Sequence, residues 1–91
     1  MHYTYVLRSL INGRLYVGCT NNLRKRISEH NTGKNISTKP YKPYELIFCE
    51  ALPTLEESVE REKFYKTGRG REVLKKILFK TLHANDKKMP S

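Results

Sequence analysis

Residues 3–20, YTYVLRSLINGRLYVGCT, contain the pattern that decides the fold of this chain. Tyr3–Ser9 and Leu15–Thr20 are rich in aromatic and β-branched residues, and the turn-forming pair Asn12-Gly13 lies between them. Two such segments joined by Asn-Gly predict a β-hairpin. Two loop lengths fit the sequence, a four-residue loop that ends at Gly13 and a tighter loop of two residues.

Both loop lengths place Tyr5 and Tyr16 on the same face of the hairpin, because side chains alternate with a period of two. With the four-residue loop, Tyr5 lies opposite Gly18 and Tyr16 opposite Leu7, so the two tyrosines are diagonal neighbours. Gly18 would leave room beside Tyr5 for a backbone or a phosphate group. Tyrosine is common in half-buried strands, so this pair alone does not establish a functional site.

The rest of the chain divides into helix, loop and strand. The pattern predicts a helix at Leu23–Asn31 capped by Asn21 or Asn22, followed by a basic loop at 32–43 and a strand at Tyr44–Ala51. A second helix is predicted from Pro53 to about Lys66. A third helix is predicted at Arg71–Leu82, and its apolar stripe consists of Val73, Leu74, Ile77 and Leu78. Gly68 and Gly70 are expected to separate the last two helices. The expected fold is α+β, a three-stranded antiparallel sheet flanked by helices in the order β-β-α-β-α-α, with one domain at 1–82 and a polar tail at 83–91.

Eighteen Lys and Arg against nine acidic residues give a net charge of +9 on 91 residues. Such an excess attracts polyanions, although a phospholipid surface or simple solubility would also account for it. We expect no membrane partner and a cytoplasmic protein, because there is neither a long apolar run nor a signal-peptide pattern. Cys19 and Cys49 lack metal-ligand spacing and are expected to be reduced strand residues.

The first helix offers two polar side chains next to the hairpin. Leu23 and Ile27 are four residues apart and should face the sheet, while Arg26 and His30 form a bordering stripe with the same spacing. Their guanidinium and imidazole groups would then project along the sheet edge where the tyrosines lie. A lone helical histidine is more often a surface residue.

The second helix supplies a carboxylate. Glu62 falls within one arc of the helix with Leu55 and Val59, where packing would favour an apolar residue. A carboxylate in that position needs a cation, a hydrogen-bond donor or a metal as partner. An ion pair with Lys66, four residues on, would also satisfy it.

Together these segments resemble the GIY-YIG nuclease superfamily, in particular its small single-domain members. Thr4-Tyr5-Val6 and, after nine intervening residues, Tyr16-Val17-Gly18 are similar to the two-part signature, although the first triplet is not Gly-Ile-Tyr. Residues 23–30, LRKRISEH, are similar to the helix that follows it, and residues 60–65, EREKFY, to the glutamate helix. The resemblance covers about residues 3–80. A late asparagine of some nuclease members has no clear counterpart here.

The resemblance implies an endonuclease that hydrolyses phosphodiester bonds with one divalent metal. Glu62 would be the only protein ligand of Mg²⁺ or Mn²⁺, with water and phosphate oxygen completing the shell. Tyr16 is the first choice for general base, and Tyr5 would position it or share that role. Arg26 would hold the phosphate, and His30 would hydrogen-bond a tyrosine hydroxyl and relay its proton.

Nucleic-acid binding would come from exposed cations and from the open space at Gly18. The candidate cations are Arg24, Lys25, Lys34, Lys39, Lys42, Lys66, Arg69 and Arg71. Each is also typical of a solvated surface charge. Contacts of this kind carry little sequence information and weaken steeply with salt.

Three other functions compete with an independent nuclease. A non-catalytic nucleic-acid-binding module would explain the charge equally well, but it would need no carboxylate in a basic groove. A two-metal nuclease would need several converging acidic residues, whereas Glu56, Glu57 and Glu60 are expected to face away from Glu62. A nuclease that depends on a protein partner for targeting fits the small size. We expect DNA rather than RNA as the substrate.

Overall fold

The computed structural model describes residues 1–84, which form three strands and four helices. The strands are β1 (His2–Ser9), β2 (Leu15–Thr20) and β3 (Tyr44–Leu52), and the helices are α1 (Leu23–Asn31), α2 (Leu55–Tyr65), α3 (Gly68–Ile77) and α4 (Phe79–Leu82). The predicted α+β fold and its order of elements are confirmed. Most of the predicted polar tail, residues 85–91, lies outside the described residues.

The antiparallel sheet has the strand order β2-β1-β3, so that β2 is an edge strand beside the central β1. Tyr5 pairs with Gly18 and Leu7 with Tyr16, which is the register of the longer hairpin loop. Gly13 closes that loop with a φ of +75°, a conformation that glycine adopts without a steric cost. The register makes the two tyrosines diagonal neighbours.

The two faces of β1 belong to two separate cores. Val6 packs with Val17 of β2 and with Tyr65 and Leu74 of the helices α2 and α3. On the opposite face, Tyr5 and Leu7 pack with Tyr44, and Leu23 and Ile27 of α1 cover this cluster. Helices therefore flank both faces of the sheet, with α1 on one and α2 and α3 on the other.

The boundary between α2 and α3 differs from the prediction. Helix α2 ends at Tyr65, and the Thr67 hydroxyl caps α3 by accepting a hydrogen bond from the backbone N–H of Gly70 at 3.0 Å. Gly68 and Gly70 therefore belong to the first turn of α3, and neither breaks a helix. The Thr67 cap stabilises the helix start by about 1 kcal/mol and so offsets part of the cost of about 1 kcal/mol that each glycine adds.

The last predicted helix is also divided. Helix α3 ends at Ile77, and the one-turn helix α4 follows at Phe79–Leu82. Ile77 is 53% exposed, so it does not belong to the apolar stripe, whereas Leu82 packs against the core. Within residues 1–84 no helix is long and apolar enough to cross a bilayer.

Candidate active site

Tyr5 and His30 form the buried centre of the candidate site. Tyr5 is 1% exposed and His30 is 0% exposed, and the Tyr5 hydroxyl lies 3.0 Å from Nε2 of His30. The bond expected between His30 and a tyrosine hydroxyl is therefore present, with Tyr5 as the partner. Because His30 is more deeply buried than Leu23 or Ile27, it is part of the packed face of α1 and not of a bordering stripe.

The protonation of this pair follows from its surroundings. Burial raises the pKa of the Tyr5 phenol far above its ordinary value, so the hydroxyl keeps its proton and donates to His30. Burial, and then the positive charge of Arg26, lower the pKa of His30, so its ring is neutral. The Thr38 hydroxyl donates to the Asn35 carbonyl at 3.4 Å, so it accepts from Nδ1–H of His30 at 2.8 Å, and Nε2 is left to accept from the Tyr5 hydroxyl.

Tyr16 is the accessible phenol of the cluster. Its side chain is half-buried, and its ring centroid lies 6.4 Å from that of Tyr5 and 4.9 Å from that of His30. It lines an open groove of about 400 Å³. Tyr5 is thus held inside the protein, whereas Tyr16 faces a space that a substrate can enter.

The expectation of open space at Gly18 is wrong. A Cβ atom added at Gly18 would lie 2.6 Å from the Tyr5 hydroxyl oxygen and 3.2 Å from the Tyr16 ring. The tyrosine rings themselves occupy the space that the missing side chain leaves. Glycine is needed at this position so that the rings can pack, and the rings leave no room for a phosphate.

Arg26 lies on α1 close to the tyrosines. Its only ion pair with residues 1–84 is a long one of 3.8 Å to Glu29, and its side chain is 40% exposed. The positive charge lowers the pKa of Tyr5, which places the guanidinium within electrostatic reach of that hydroxyl. A loosely paired, accessible guanidinium can bind a phosphate.

Glu62 approaches the same tyrosines from α2. Its side chain is 21% exposed, and Lys66 Nζ donates to Oε2 at 2.7 Å, which is the predicted intrahelical pair. Partial burial works to raise the pKa of Glu62, but the hydrogen bond from Lys66 and the nearby Cys19 thiol outweigh it and lower the pKa. The group is therefore a carboxylate, and its negative charge in turn raises the pKa of Tyr5.

The packed face of α2 differs from the expected one. Ser58 and Tyr65 are its buried residues, Val59 is half-buried, and Leu55 is 55% exposed. Glu62 lies on the stripe of Ser58 and Tyr65, four residues after the first and three before the second. Leu55 cannot reach the core because it begins the helix, where the chain has just left the sheet.

The donor set around Glu62 fits a single hard cation. Within residues 1–84 no three His, Cys, Asp or Glu side chains come together as a metal-binding group. One ionised, partly exposed carboxylate suits Mg²⁺, which retains several waters and often binds only one or two carboxylates. Lys66 would have to release or share the carboxylate for such an ion to bind.

The predicted nucleic-acid contacts are all on the surface. Exposed side chains belong to Arg24, Lys25, Lys34, Lys39, Lys42, Lys66, Arg69 and Arg71. Lys66 is paired with Glu62, and the Lys39 chain packs against Gly33, so these two are less free than the others. Their position on the surface does not test whether they contact nucleic acid, so that role stays a prediction.

Sequence reasoning missed two groups that build the site. Thr38 is 1% exposed and fixes the His30 ring, but it lies in a loop whose fold no periodic pattern predicts. Asn31 clamps the end of α1 to β3, since its side chain accepts from the Tyr44 N–H at 2.6 Å and donates to the Tyr44 carbonyl at 3.1 Å. The sequence signal for Asn31 was its position at the end of the predicted helix, directly before the loop.

Similar known proteins and a similar solved structure share the name UPF0213. A UPF0213 protein of Bacillus pumilus is 42% identical over 67 residues, which cover 72% of this chain and 67% of the relative. A UPF0213 protein of Staphylococcus haemolyticus is 36% identical over 77 residues, or 84% of this chain and 93% of the relative. The solution NMR structure of a UPF0213 protein from Bacillus halodurans has a TM-score of 0.52 and 32% identity, covering 84% of this chain and 83% of that one.

The family comparison covers the hairpin, the site and most of α3. Residues 1–76 match the family described as the GIY-YIG catalytic domain. This range contains Tyr5, Tyr16, Arg26, His30 and Glu62. With these residues around one edge of the sheet and this family match, the chain belongs to the GIY-YIG catalytic domain family.

Proposed function

We propose that this chain is a metal-dependent endonuclease that hydrolyses phosphodiester bonds in nucleic acid, with DNA as the expected substrate. One observation carries the proposal: the positive Arg26 lowers the pKa of the Tyr5 hydroxyl and the negative Glu62 raises it, although the two residues come from different helices. A cationic group to hold a phosphate and an anionic group to hold a metal thus lie within electrostatic range of the Tyr5 phenol, whose ring centroid is 6.4 Å from that of Tyr16. The family membership supports a nuclease-like function.

Tyr16 is the proposed general base. It is the accessible phenol, whereas Tyr5 already donates its proton to His30 in a buried bond. A tyrosine accepts a proton only as the phenolate, which nearby positive charge stabilises. Arg26 supplies positive charge from the chain itself.

The other residues hold and orient the reacting groups. Arg26 would bind the phosphate and stabilise charge on its non-bridging oxygens. Glu62 would hold the divalent metal, Mg²⁺ or Mn²⁺, which supplies Lewis-acid stabilisation of the phosphate when bound. His30 and Tyr5 would keep the aromatic cluster in place, with the ring fixed by Thr38.

The test is a cleavage assay with a matched carboxylate control. The purified protein is incubated with labelled single-stranded, duplex and branched DNA and with RNA, in Mg²⁺ or Mn²⁺, beside Glu62→Ala and Glu60→Ala. Glu60 lies on the same helix and is exposed, so its variant removes a charge without touching the site. Metal-dependent cuts lost only in Glu62→Ala are expected. Salt-sensitive binding without cuts on any substrate would instead indicate a binding module.

A further inference from the structure

A groove beside Tyr16 has cationic walls that the catalytic roles do not use. Arg14 follows the hairpin turn, and Arg71 and Lys75 lie one turn apart on α3; all three line the groove together with Tyr16. Its volume is about 400 Å³. Two elements that are distant in sequence thus bring three positive side chains to the open side of the proposed base.

The charge in this groove is poorly compensated. No Asp or Glu among the described residues lines it. Within residues 1–84, Arg14 and Arg71 have no ion-pair partner, and Lys75 has only Glu72 at 4.0 Å with both side chains largely exposed. Cations left close together without a carboxylate attract an anion.

Hydroxyl groups line the groove beside the cations. Ser37 comes from the loop after α1, and Tyr41, which is 40% exposed, comes from the same loop. Arginine, lysine, serine and tyrosine are the side chains that proteins use to contact phosphate and sugar oxygens. The groove is open and reaches Tyr16, so a longer chain can pass through it.

We propose that this groove is a phosphate-binding subsite that holds the nucleic-acid backbone next to the scissile phosphate. The inference rests on the proposed function for the identity of the ligand, and it adds Arg14 and Lys75 to the expected contacts. The substrate strand would run along the edge strand β2. It would pass from the groove at Tyr16 toward the small cavity at the start of α1, which Lys25 and Arg26 line together with the carboxylate of Glu29.

The experiment compares two double variants that remove the same charge. Arg71→Gln/Lys75→Gln removes groove cations, and Lys76→Gln/Lys80→Gln removes exposed cations of the same C-terminal helices that do not line the groove. Binding of a fluorescein-labelled 20-nucleotide DNA, single-stranded and duplex, is measured in EDTA at several salt concentrations. Thermal melting confirms that each variant is folded.

The groove variant is expected to lower the slope of log affinity against log salt by about 1.4 on the single strand and about 1.8 on the duplex, the value for two phosphate contacts. The control variant should lower this slope by less than half of the change expected for the groove variant. A slope loss that is no larger in the groove variant than in the control would overturn the subsite. Binding is measured without metal, so a failed cleavage assay would refute the nuclease and leave this result standing.

Discussion

Tyr5 and Tyr16 share one face of the hairpin but differ in what surrounds each hydroxyl. The Tyr5 hydroxyl is buried and bonded to His30 at 3.0 Å, whereas Tyr16 lines an open groove. One phenol is therefore a fixed part of the structure, and the other is available to a substrate. In the proposed mechanism, this difference gives Tyr5 a positioning role and Tyr16 the proton transfer.

Phenylalanine at each position separates the two roles. Tyr16→Phe should lower the cleavage rate by about 10²- to 10⁴-fold and change the free energy of unfolding by less than about 0.5 kcal/mol. Tyr5→Phe should lower the free energy of unfolding by about 1–3 kcal/mol, because His30 Nε2 is left buried without a donor. Single-turnover kinetics and urea unfolding measure both quantities. Equal cleavage rates in Tyr16→Phe and the parent would contradict the assignment of the base.

The buried His30 predicts a pH dependence of stability. Its pKa is lowered by burial and by Arg26, so the unfolded chain takes up a proton below about pH 6.5 before the native state does. The free energy of unfolding should then fall as the pH drops from 7 to 5, with a limiting slope of about 1.4 kcal/mol per pH unit. Urea unfolding at several pH values measures it. His30→Gln should flatten the profile in this window, and an unchanged profile would show that His30 is not the group responsible.

At the scale of the elements, the hairpin and α1 were predictable because their signals are local. The Asn12-Gly13 turn and strand alternation predicted the shared face of the tyrosines, and helical spacing predicted Leu23 and Ile27 as contacts to the sheet. The end of α2 was predicted to within a residue, but the start of α3 was not predictable from its glycines. That boundary depends on the Thr67 cap and on the close approach of two helices, which no periodicity reveals.

The two glycines at the start of α3 give a matched test of this junction. A Cβ at Gly70 would overlap the Phe64 carbonyl oxygen, whereas a Cβ at Gly68 meets nothing within 4 Å. Gly70→Ala should therefore lower the free energy of unfolding by about 1–3 kcal/mol. Gly68→Ala should be neutral or raise it by up to about 1 kcal/mol, since alanine favours a helix. Thermal melts of both variants measure this, and similar values would contradict the tight packing.

At the scale of the whole molecule, the site is a product of the tertiary fold. Arg26 and Glu62 come from helices on opposite faces of the sheet, and the charges of both act on the Tyr5 hydroxyl of the central strand. The resemblance predicted these residues, but residue patterns alone left Glu62 open between a metal and Lys66. The Lys66 pair is present, and the lowered pKa keeps the carboxylate ionised.

The hydrogen bond from His30 to Thr38 lay beyond sequence reasoning for a related reason. Thr38 reaches the histidine only because the loop after α1 folds back over it, held by Asn31 and by the Ser9 hydroxyl, which donates to the Tyr41 carbonyl at 2.6 Å. These contacts join residues that are 8 to 32 positions apart in the chain. Local patterns carry no information about them.

In the proposed mechanism, Glu62 holds the metal on which cleavage depends. The most direct measurement is the single-turnover cleavage rate as a function of Mg²⁺ concentration for the parent, Glu62→Gln and Glu60→Gln. The parent and Glu60→Gln should show saturating, Mg²⁺-dependent cleavage. Glu62→Gln should cleave at least about 10²-fold more slowly at every Mg²⁺ concentration, because it loses several kcal/mol of transition-state stabilisation. Cleavage by Glu62→Gln with the parent's rate and Mg²⁺ dependence would contradict it.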